Sequence, residues 1–277
     1  MTAWRVVIVT RILPVALGFH AALRDAGHEP VALLTIRDTD GRYGGFDLGG
    51  MLDELPAELD ILMPARRASI APLLESVRSD LVVCMGFPWK VPAAALAVPR
   101  LGWINGHPSL LPHHRGPVPV AWAIRAGEEE IGVTFHRMDA ELDTGAILAQ
   151  KTLPIGELCE PEEFYGRMGP VVLEVLGDAL ANLAAGVEAQ GQKGGDYQSF
   201  FGDDDAQLDF SRPAAEVHRL VWAWRFTIPA GQLHGALAEL DGETVRVLAS
   251  SLTEVEEARR VECADGPIWL VKTESVT

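Results

Sequence analysis

The 277-residue chain is short of cysteine, of positive charge and of long apolar runs. Its three cysteines, Cys84, Cys159 and Cys263, are far apart and show neither CxxC nor zinc-ribbon spacing. That pattern excludes a disulfide framework and a cysteine-built zinc site, and it reads as reduced thiols in a cytoplasmic protein. Cys84 lies inside the apolar run "DLVVCMG" and is expected in the core. Lysine and arginine total 23 against 39 acidic residues, a formal net charge of −16. A field of that sign repels large polyanions unless a local basic patch defeats it. No such patch stands out: "PARRAS" holds two adjacent arginines with nothing basic around them. No uninterrupted apolar run approaches the roughly 20 residues that span a bilayer. The apolar N-terminus, "MTAWRVVIVTRILPVALGF", is broken by two arginines and a proline, so "WRVVIVT" is expected to be a buried first strand rather than part of a signal peptide. The segment after it, "TRILPV", is not the GxGxxG turn that a nicotinamide-dinucleotide site requires.

What is present is an ordinary globular composition, 48% hydrophobic and 22% charged, in a length that suits one large domain or two unequal ones. The first half alternates strand and helix signals. Strands are expected at 4–10, 29–36, 60–65, 80–86 and 101–105. Helices are expected from "LPVALGF" to a stop at Gly27, and over 69–78 with Ser69 as its cap. The Gly- and Asp-rich stretch 37–50 reads as a loop. Short apolar strands between helices imply a mostly parallel sheet with both faces covered, which binds ligands in loops beyond the carboxyl ends of its strands. Two more strands are expected at 132–139 and 146–153, then a helix over 160–186 that Gly169-Pro170 should kink or break. The composition then shifts. Residues 1–187 read as an α/β domain, 188–205 ("EAQGQKGGDYQSFFGDDD") as a linker, and 206–277 as a small β-rich domain. That last domain opens with the helix "PAAEVHRLVWAW" and continues in hairpins turning at Asp241-Gly242 and Asp265-Gly266.

The passage "INGHPSLLPHHRGPVP", residues 104–119, concentrates His107, His113, His114 and Arg115 in a stiff loop after the fifth strand. Pro108 and Pro112 prevent the helical i, i+4 presentation of a histidine metal pair, and no cysteine or carboxylate lies nearby in sequence. A metal is therefore not expected, and His113 and His114 read as exposed turn residues. Asn105 and His107 are two apart in an extended segment, so their side chains project to one side. An amide beside an imidazole suits acyl transfer: the first donates to an oxygen gaining charge, the second relays a proton. A carboxylate would fix the imidazole and stabilise its charged form. "AELDTGAI" offers Asp143 for that role, although an aspartate before Thr-Gly is also an ordinary turn residue.

The stretch "NGHPSLLPHHRGPVPVAWAI" followed by "GVTFHRMDAELDTGAILAQ" resembles the signature of the folate-dependent formyltransferases. That family includes methionyl-tRNA formyltransferase, the amino-sugar N-formyltransferases, glycinamide ribonucleotide transformylase and the hydrolase domain of formyltetrahydrofolate dehydrogenase. Its pattern, Asn-x-His-x-Ser-Leu-Leu-Pro, then Arg-Gly, then Asp-Thr-Gly, is present in order over about 50 residues. Weaker similarity extends over roughly 1–186. The resemblance implies a Rossmann-like catalytic domain with an OB-like barrel after it, and Asn105, His107 and Asp143 as the catalytic triad. It implies 10-formyltetrahydrofolate as formyl donor, a primary amine as acceptor and no metal. The folate would lie against Phe87, Pro88, Trp89 and Val91 on one side and Met138, Asp139 and Leu142 on the other. Ser109, Leu110, Leu111 and Pro112 would shape the wall beside the triad, with Arg115 and Gly116 fixing the turn.

For the acceptor, a β-rich domain after a linker favours tRNA. The stretch 37–50, with two arginines, three aspartates and no lysine, and the acidic "GDDD" weigh against it. A small amine, an amino sugar or amino acid, is the preferred expectation, with initiator tRNA as the alternative and hydrolysis of the formylfolate third. Trp122, Trp222 and Trp224 could line an acceptor site but are expected in the core.

Overall fold

The computed structural model describes residues 2–37, 48–227 and 235–276. The first strand, β1 (Arg5–Val9), buries Val6, Val7, Ile8 and Val9 completely. A strand with no polar face must be covered on both sides, as in a parallel sheet between helices. It pairs in parallel with β2 (Glu29–Leu34) on one side and β4 (Leu81–Cys84) on the other. Beyond these lie β3 (Asp60–Leu62) and β5 (Trp103–His107), both parallel to their neighbours. The seven-stranded sheet closes with β6 (Glu130–Arg137), antiparallel to β5, and β7 (Ile147–Pro154), in the order β3-β2-β1-β4-β5-β6-β7. The mostly parallel, Rossmann-like sheet is thus as expected. The first four strands are shorter than the runs that announced them, whereas β5, β6 and β7 keep the expected length and are shifted by one or two residues.

Helix α1 (Leu13–Asp25) buries Ala16, Phe19 and Leu23, and Phe19 packs 6.0 Å from Phe135. A buried cluster contains Val7, Val9, Leu34, Val82, Cys84 and Trp103 of the strands with Ile70 and Leu74 of α3 (Ile70–Ser76). Trp103 satisfies its indole N–H on the Ala95 carbonyl at 2.9 Å. Cys84 is a core thiol, as expected, and burial pushes its pKa up to about 12.

Three local expectations are corrected. Ser69 sits at the N-cap position of α3 but makes no capping hydrogen bond, because a 3₁₀ turn (Arg67–Ser69) leads into the helix and holds Ser69 in helical geometry. A helix, α2 (Leu48–Glu54), begins inside the stretch read as a loop, most of which, 38–47, lies outside the described residues. The long helix, named α6 here (Pro161–Ala185) and preceded by α4 (Ala93–Leu96) and α5 (Pro119–Ala126), runs through Gly169-Pro170 unbroken. Proline removes one ladder hydrogen bond there, whereas Met168, Val175, Leu176, Ala179 and Leu180 bury a continuous stripe. By length and composition alone α6 could cross a membrane, but that stripe is the pattern of a helix packed on a protein core.

The described residues gather into two compact units. One comprises Met1–Arg115, Gly132–Leu153 and Tyr165–Asp196; the other comprises Gly116–Ile131, Pro154–Phe164 and Tyr197–Thr277. The segment 188–205 is therefore divided between them. In the second unit, β8 (Ala236–Leu240), β9 (Glu243–Ser251), β10 (Arg259–Cys263) and β11 (Gly266–Ser275) form an antiparallel sheet in the order β10-β11-β9-β8. The β8–β9 hairpin turns at Asp241-Gly242, both at positive φ (56° and 83°), as a two-residue turn of this hand requires; residues 231–234, where the stretch read as this hairpin begins, lie outside the described residues. The second turn is displaced by one residue, to Ala264-Asp265, since Gly266 already pairs with Cys263. Asp265 is used elsewhere: its carboxylate accepts the Ala214 N–H at 2.7 Å, satisfying the first turn of α7 (Ala214–Arg225). Trp224 is buried on the same helix and donates to the Asp205 carbonyl, while Trp122 packs 4.7 Å from Phe201 beneath Arg125. Trp224 is a core residue, as expected, whereas Trp122 and Trp222 are half-buried.

The carboxylate cap leads to a stability prediction. Asp265→Ala is expected to cost about 1 kcal/mol, in the range of lost helix caps, read as a lowered midpoint in urea with an unchanged slope. An unaltered midpoint would show that Asp265 does not hold α7.

Candidate active site

The antiparallel pairing of β5 with β6 sets Asn105 directly opposite His136 and His107 directly opposite Thr134. Opposed residues share a face, as do residues two apart on one strand. Two strands therefore deliver four polar side chains to one surface. The intervening Gly106 faces the other way, where a β-carbon would lie 2.8 Å from the Phe135 ring. That side of the sheet is full, so the alternation cannot reverse.

Asp143 arrives from the loop between β6 and β7 at φ 57°, a left-handed conformation that aspartate tolerates. Asp139 builds this loop: its Oδ1 accepts from the Glu141 N–H at 3.0 Å and the Thr144 hydroxyl at 2.8 Å. Gly145 then passes so close to Arg137 that a β-carbon would lie 1.8 Å from the carbonyl oxygen. The Asp-Thr-Gly run is thus a loop whose threonine pins it and whose glycine lets it return to the sheet.

The structure brings Asn105, His107 and Asp143 together. Asp143 Oδ1 lies 3.8 Å from His107 Nδ1 and 3.7 Å from His136 Nε2. His136 Nε2 lies 3.2 Å from Asn105 Nδ2, and its Nδ1 lies 2.8 Å from the Arg137 carbonyl. The other nitrogen of His107, Nε2, is 2.9 Å from the carbonyl of His114. Both imidazoles are buried, at 4% and 1% exposure. Burial, and then the nearby His107, lower the His136 pKa to about 4 against the opposing pull of Asp143.

The loop after β5 is held from below. Thr134 donates to the Ser109 carbonyl at 2.7 Å and accepts from the Leu111 N–H at 3.2 Å. Gln150 donates to Thr134 Oγ1 and to the Leu111 carbonyl, and Ser109 donates to the His113 carbonyl. His113 is exposed, as expected, but His114 is not the exposed turn residue anticipated. It is half-buried at φ 54°, and its carbonyl fixes the ring of His107. Arg115 reaches Gln192 Oε1 through Nε and Nη2 at 3.2 and 2.8 Å. Gln192 in turn donates to the carbonyls of Asp143 and Gly145 at 3.0 and 2.7 Å. Gln192 comes from the stretch whose composition marks it as a linker, and nothing local distinguishes it. His136 was legible only as part of a strand.

A cleft opens beside these groups at the carboxyl ends of β4 and β5. Phe87, Trp89, Val91, Met138, Asp139 and Leu142 line it together with Asn105 and Asp143. Lys90, His136 and Glu141, which sequence reasoning did not single out, line it too, as does Cys84, expected only in the core. Pro88 is not among the lining residues. Phe87 and Trp89 meet edge-on at 5.9 Å, and Lys90 pairs with Glu141 at 3.6 Å at the exposed mouth. Among the described residues no group of three or more His, Cys, Asp or Glu side chains is placed to hold a metal. Chemically, the site offers an amide donor, an imidazole with one nitrogen turned toward a carboxylate, and an apolar slot beside them.

Residues 63–179 match the Formyl transferase family. The methionyl-tRNA formyltransferase of Pseudomonas fluorescens is 35% identical over 240 residues, covering 84% of this chain and 73% of the relative. HypX from Aquifex aeolicus, solved in complex with tetrahydrofolic acid, shares the fold with a TM-score of 0.69 at 18% identity. That match covers all of this chain, which spans 45% of the HypX chain. A sugar N-formyltransferase from a Shewanella strain superposes with a TM-score of 0.67 at 22% identity, over 91% of this chain and 99% of its own.

The buried imidazoles make stability depend on pH. His218, beside the Ser250 hydroxyl at 2.9 Å, is like His136 lowered to about 4 by burial. Unfolded, both rings titrate near 6.5. Between about pH 6.5 and 4 the unfolded chain binds protons that the native chain does not. Stability is therefore complete above about pH 6.5 and falls as pH falls through this window. Urea midpoints measured from pH 7 to pH 4.5 check it; a flat profile would mean that both rings protonate freely in the fold.

Proposed function

Because the chain belongs to the folate-dependent formyltransferase family, we propose that it transfers a formyl group from 10-formyltetrahydrofolate to the primary amine of a small molecule, an amino sugar or an amino acid. The cleft suits the donor. Phe87, Trp89, Val91, Met138 and Leu142 supply apolar walls for a flat ring system, and Asn105 and Asp143 line the same cleft. When bound, 10-formyltetrahydrofolate supplies an activated formyl group on N10.

The chain's own residues then divide the work. Asn105 donates an amide N–H to the formyl oxygen as it gains negative charge. His107 commits Nε2 to the His114 carbonyl, which leaves Nδ1 to take the proton of the attacking amine and pass it to N10. Asp143, 3.8 Å from Nδ1, stabilises the imidazolium that forms. One carbon–nitrogen bond forms to the amine as the bond to N10 breaks, and the amine's proton ends on N10. An amine with an ordinary pKa near 10 is neutral in only about one molecule in a thousand near pH 7, and it is this neutral form that attacks.

The observation that carries the small acceptor is that most arginines of the second unit already lie against carboxylates. Arg212 lies against Glu216, Arg225 against Glu160, Arg246 against Glu274, Arg259 against Asp241 and Arg260 against Glu262. An arginine already paired with a carboxylate must surrender that partner to hold a phosphate, and a net charge of −16 repels a polyanion at longer range. One observation favours a second reading, in which the acceptor is charged initiator tRNA: the 35% identical relative carries the name of that reaction.

The test supplies 10-formyltetrahydrofolate with charged initiator tRNA in one vessel and amino sugars and diamino acids in others, and follows formylated product by mass. A formylated small amine is expected. Formylation of the tRNA alone would replace the acceptor class, and steady formate release without product would point to hydrolysis. Asn105→Ala and His107→Ala are each expected to lower kcat by about 10²–10³-fold; near-normal turnover of either variant would sink the assignment.

A further inference from the structure

His136 is a buried imidazole that the proposed chemistry does not use, yet it lies in the middle of the site. Its Nδ1 is 2.8 Å from the Arg137 carbonyl oxygen, which can only accept, so Nδ1 carries the proton. Burial keeps the ring neutral near pH 7. A neutral ring with its proton on Nδ1 presents a lone pair at Nε2. The group facing that lone pair at 3.2 Å is the amide of Asn105. Only the NH2 end of an amide can meet a lone pair favourably, so the ring decides which way Asn105 points. The reverse orientation would set Oδ1 against the lone pair and remove a donor from the place where the formyl oxygen gains charge. Asp143 Oδ1, 3.7 Å from Nε2, is too far to compete for that contact.

We propose that His136 is a positioning residue that, through its Nδ1–H tautomer and cross-strand pairing with Asn105, locks the Asn105 amide as the hydrogen-bond donor to the reacting carbonyl. The proposal rests on the reading of Asn105 as that donor. One N–H of the amide is held by His136, and the second is left to the substrate. The backbone supports the device at both ends: β5–β6 pairing fixes the distance between the two side chains, and the Arg137 carbonyl, on the residue next to His136, fixes the tautomer.

The test is a double-mutant cycle with turnover read as formyl transfer to the fastest acceptor of the panel above. His136→Phe keeps a ring but has no acceptor atom. It is expected to lower kcat about 10- to 100-fold, part of the about 10²–10³-fold cost of losing the donor itself, and to change kcat by more than it changes KM for 10-formyltetrahydrofolate. His136→Gln places an amide oxygen near the position of Nε2 and is expected to recover most of kcat. In an Asn105→Ala background, His136→Phe is expected to do nothing further, because the group it positions is gone. Multiplying losses in the double variant, or a His136→Phe effect on KM alone, would overturn the proposal. A full loss in His136→Phe beside a normal Asn105→Ala would instead overturn the donor role of Asn105. Nitrogen-15 NMR of labelled histidine gives a readout that needs no turnover: the His136 ring is expected as the Nδ1–H tautomer, and an Nε2–H tautomer would refute the mechanism.

Discussion

The antiparallel contact between β5 and β6 is the constraint on which the rest of the site depends. The parallel strands would each bring their side chains to the sheet in separate places, tied to helices and loops of different length. One reversal of direction sets Asn105 against His136 and His107 against Thr134 in fixed register. From that register follow both the amide–imidazole contact and the grip of Thr134 on the loop that carries His114. A slip of one residue would send all four side chains into the side already filled by Phe135 and Met85.

The loops are rigid for reasons that do not depend on helix or sheet. Asp139 and Thr144 close the Asp143 loop from within, and Gln192 holds it from outside by two carbonyls. Arg115 holds Gln192, so the loop after β5 and the loop after β6 are joined by one glutamine. Such polar networks are worth having where every member is satisfied, because buried donors without partners cost more than the bonds return. Preorganisation of this kind is what an acyl-transfer site requires, since donors must already aim at the place where charge appears.

Much of the fold was legible in residues 4–10, 29–36, 80–86 and 101–105, because a strand buried on both faces must be apolar throughout. The turn at Asp241-Gly242 was legible because its positive φ angles admit few residue types. What the local sequence misjudged has particular physical causes. Gly169-Pro170 reads as a break, but the buried stripe of α6 outweighs one lost hydrogen bond. Asp265-Gly266 reads as a turn, but the carboxylate is taken by α7 and the turn moves one residue earlier. Ser69 reads as a cap, but the chain enters α3 already helical.

By itself the sequence determined the succession of the strands and the longer helices, the family signature, and the three residues Asn105, His107 and Asp143 as candidates. Residue type and spacing suggested these three residues, and the resemblance to the family signature singled them out as the triad. Only the tertiary structure decided that His136 faces Asn105, that the carbonyl of His114 holds His107, and that Gln192 reaches the Asp143 loop. Strand register, main-chain carbonyls and contacts across 49 residues of chain leave no mark on composition or periodicity. They exist only once the strands have paired and the loops have closed.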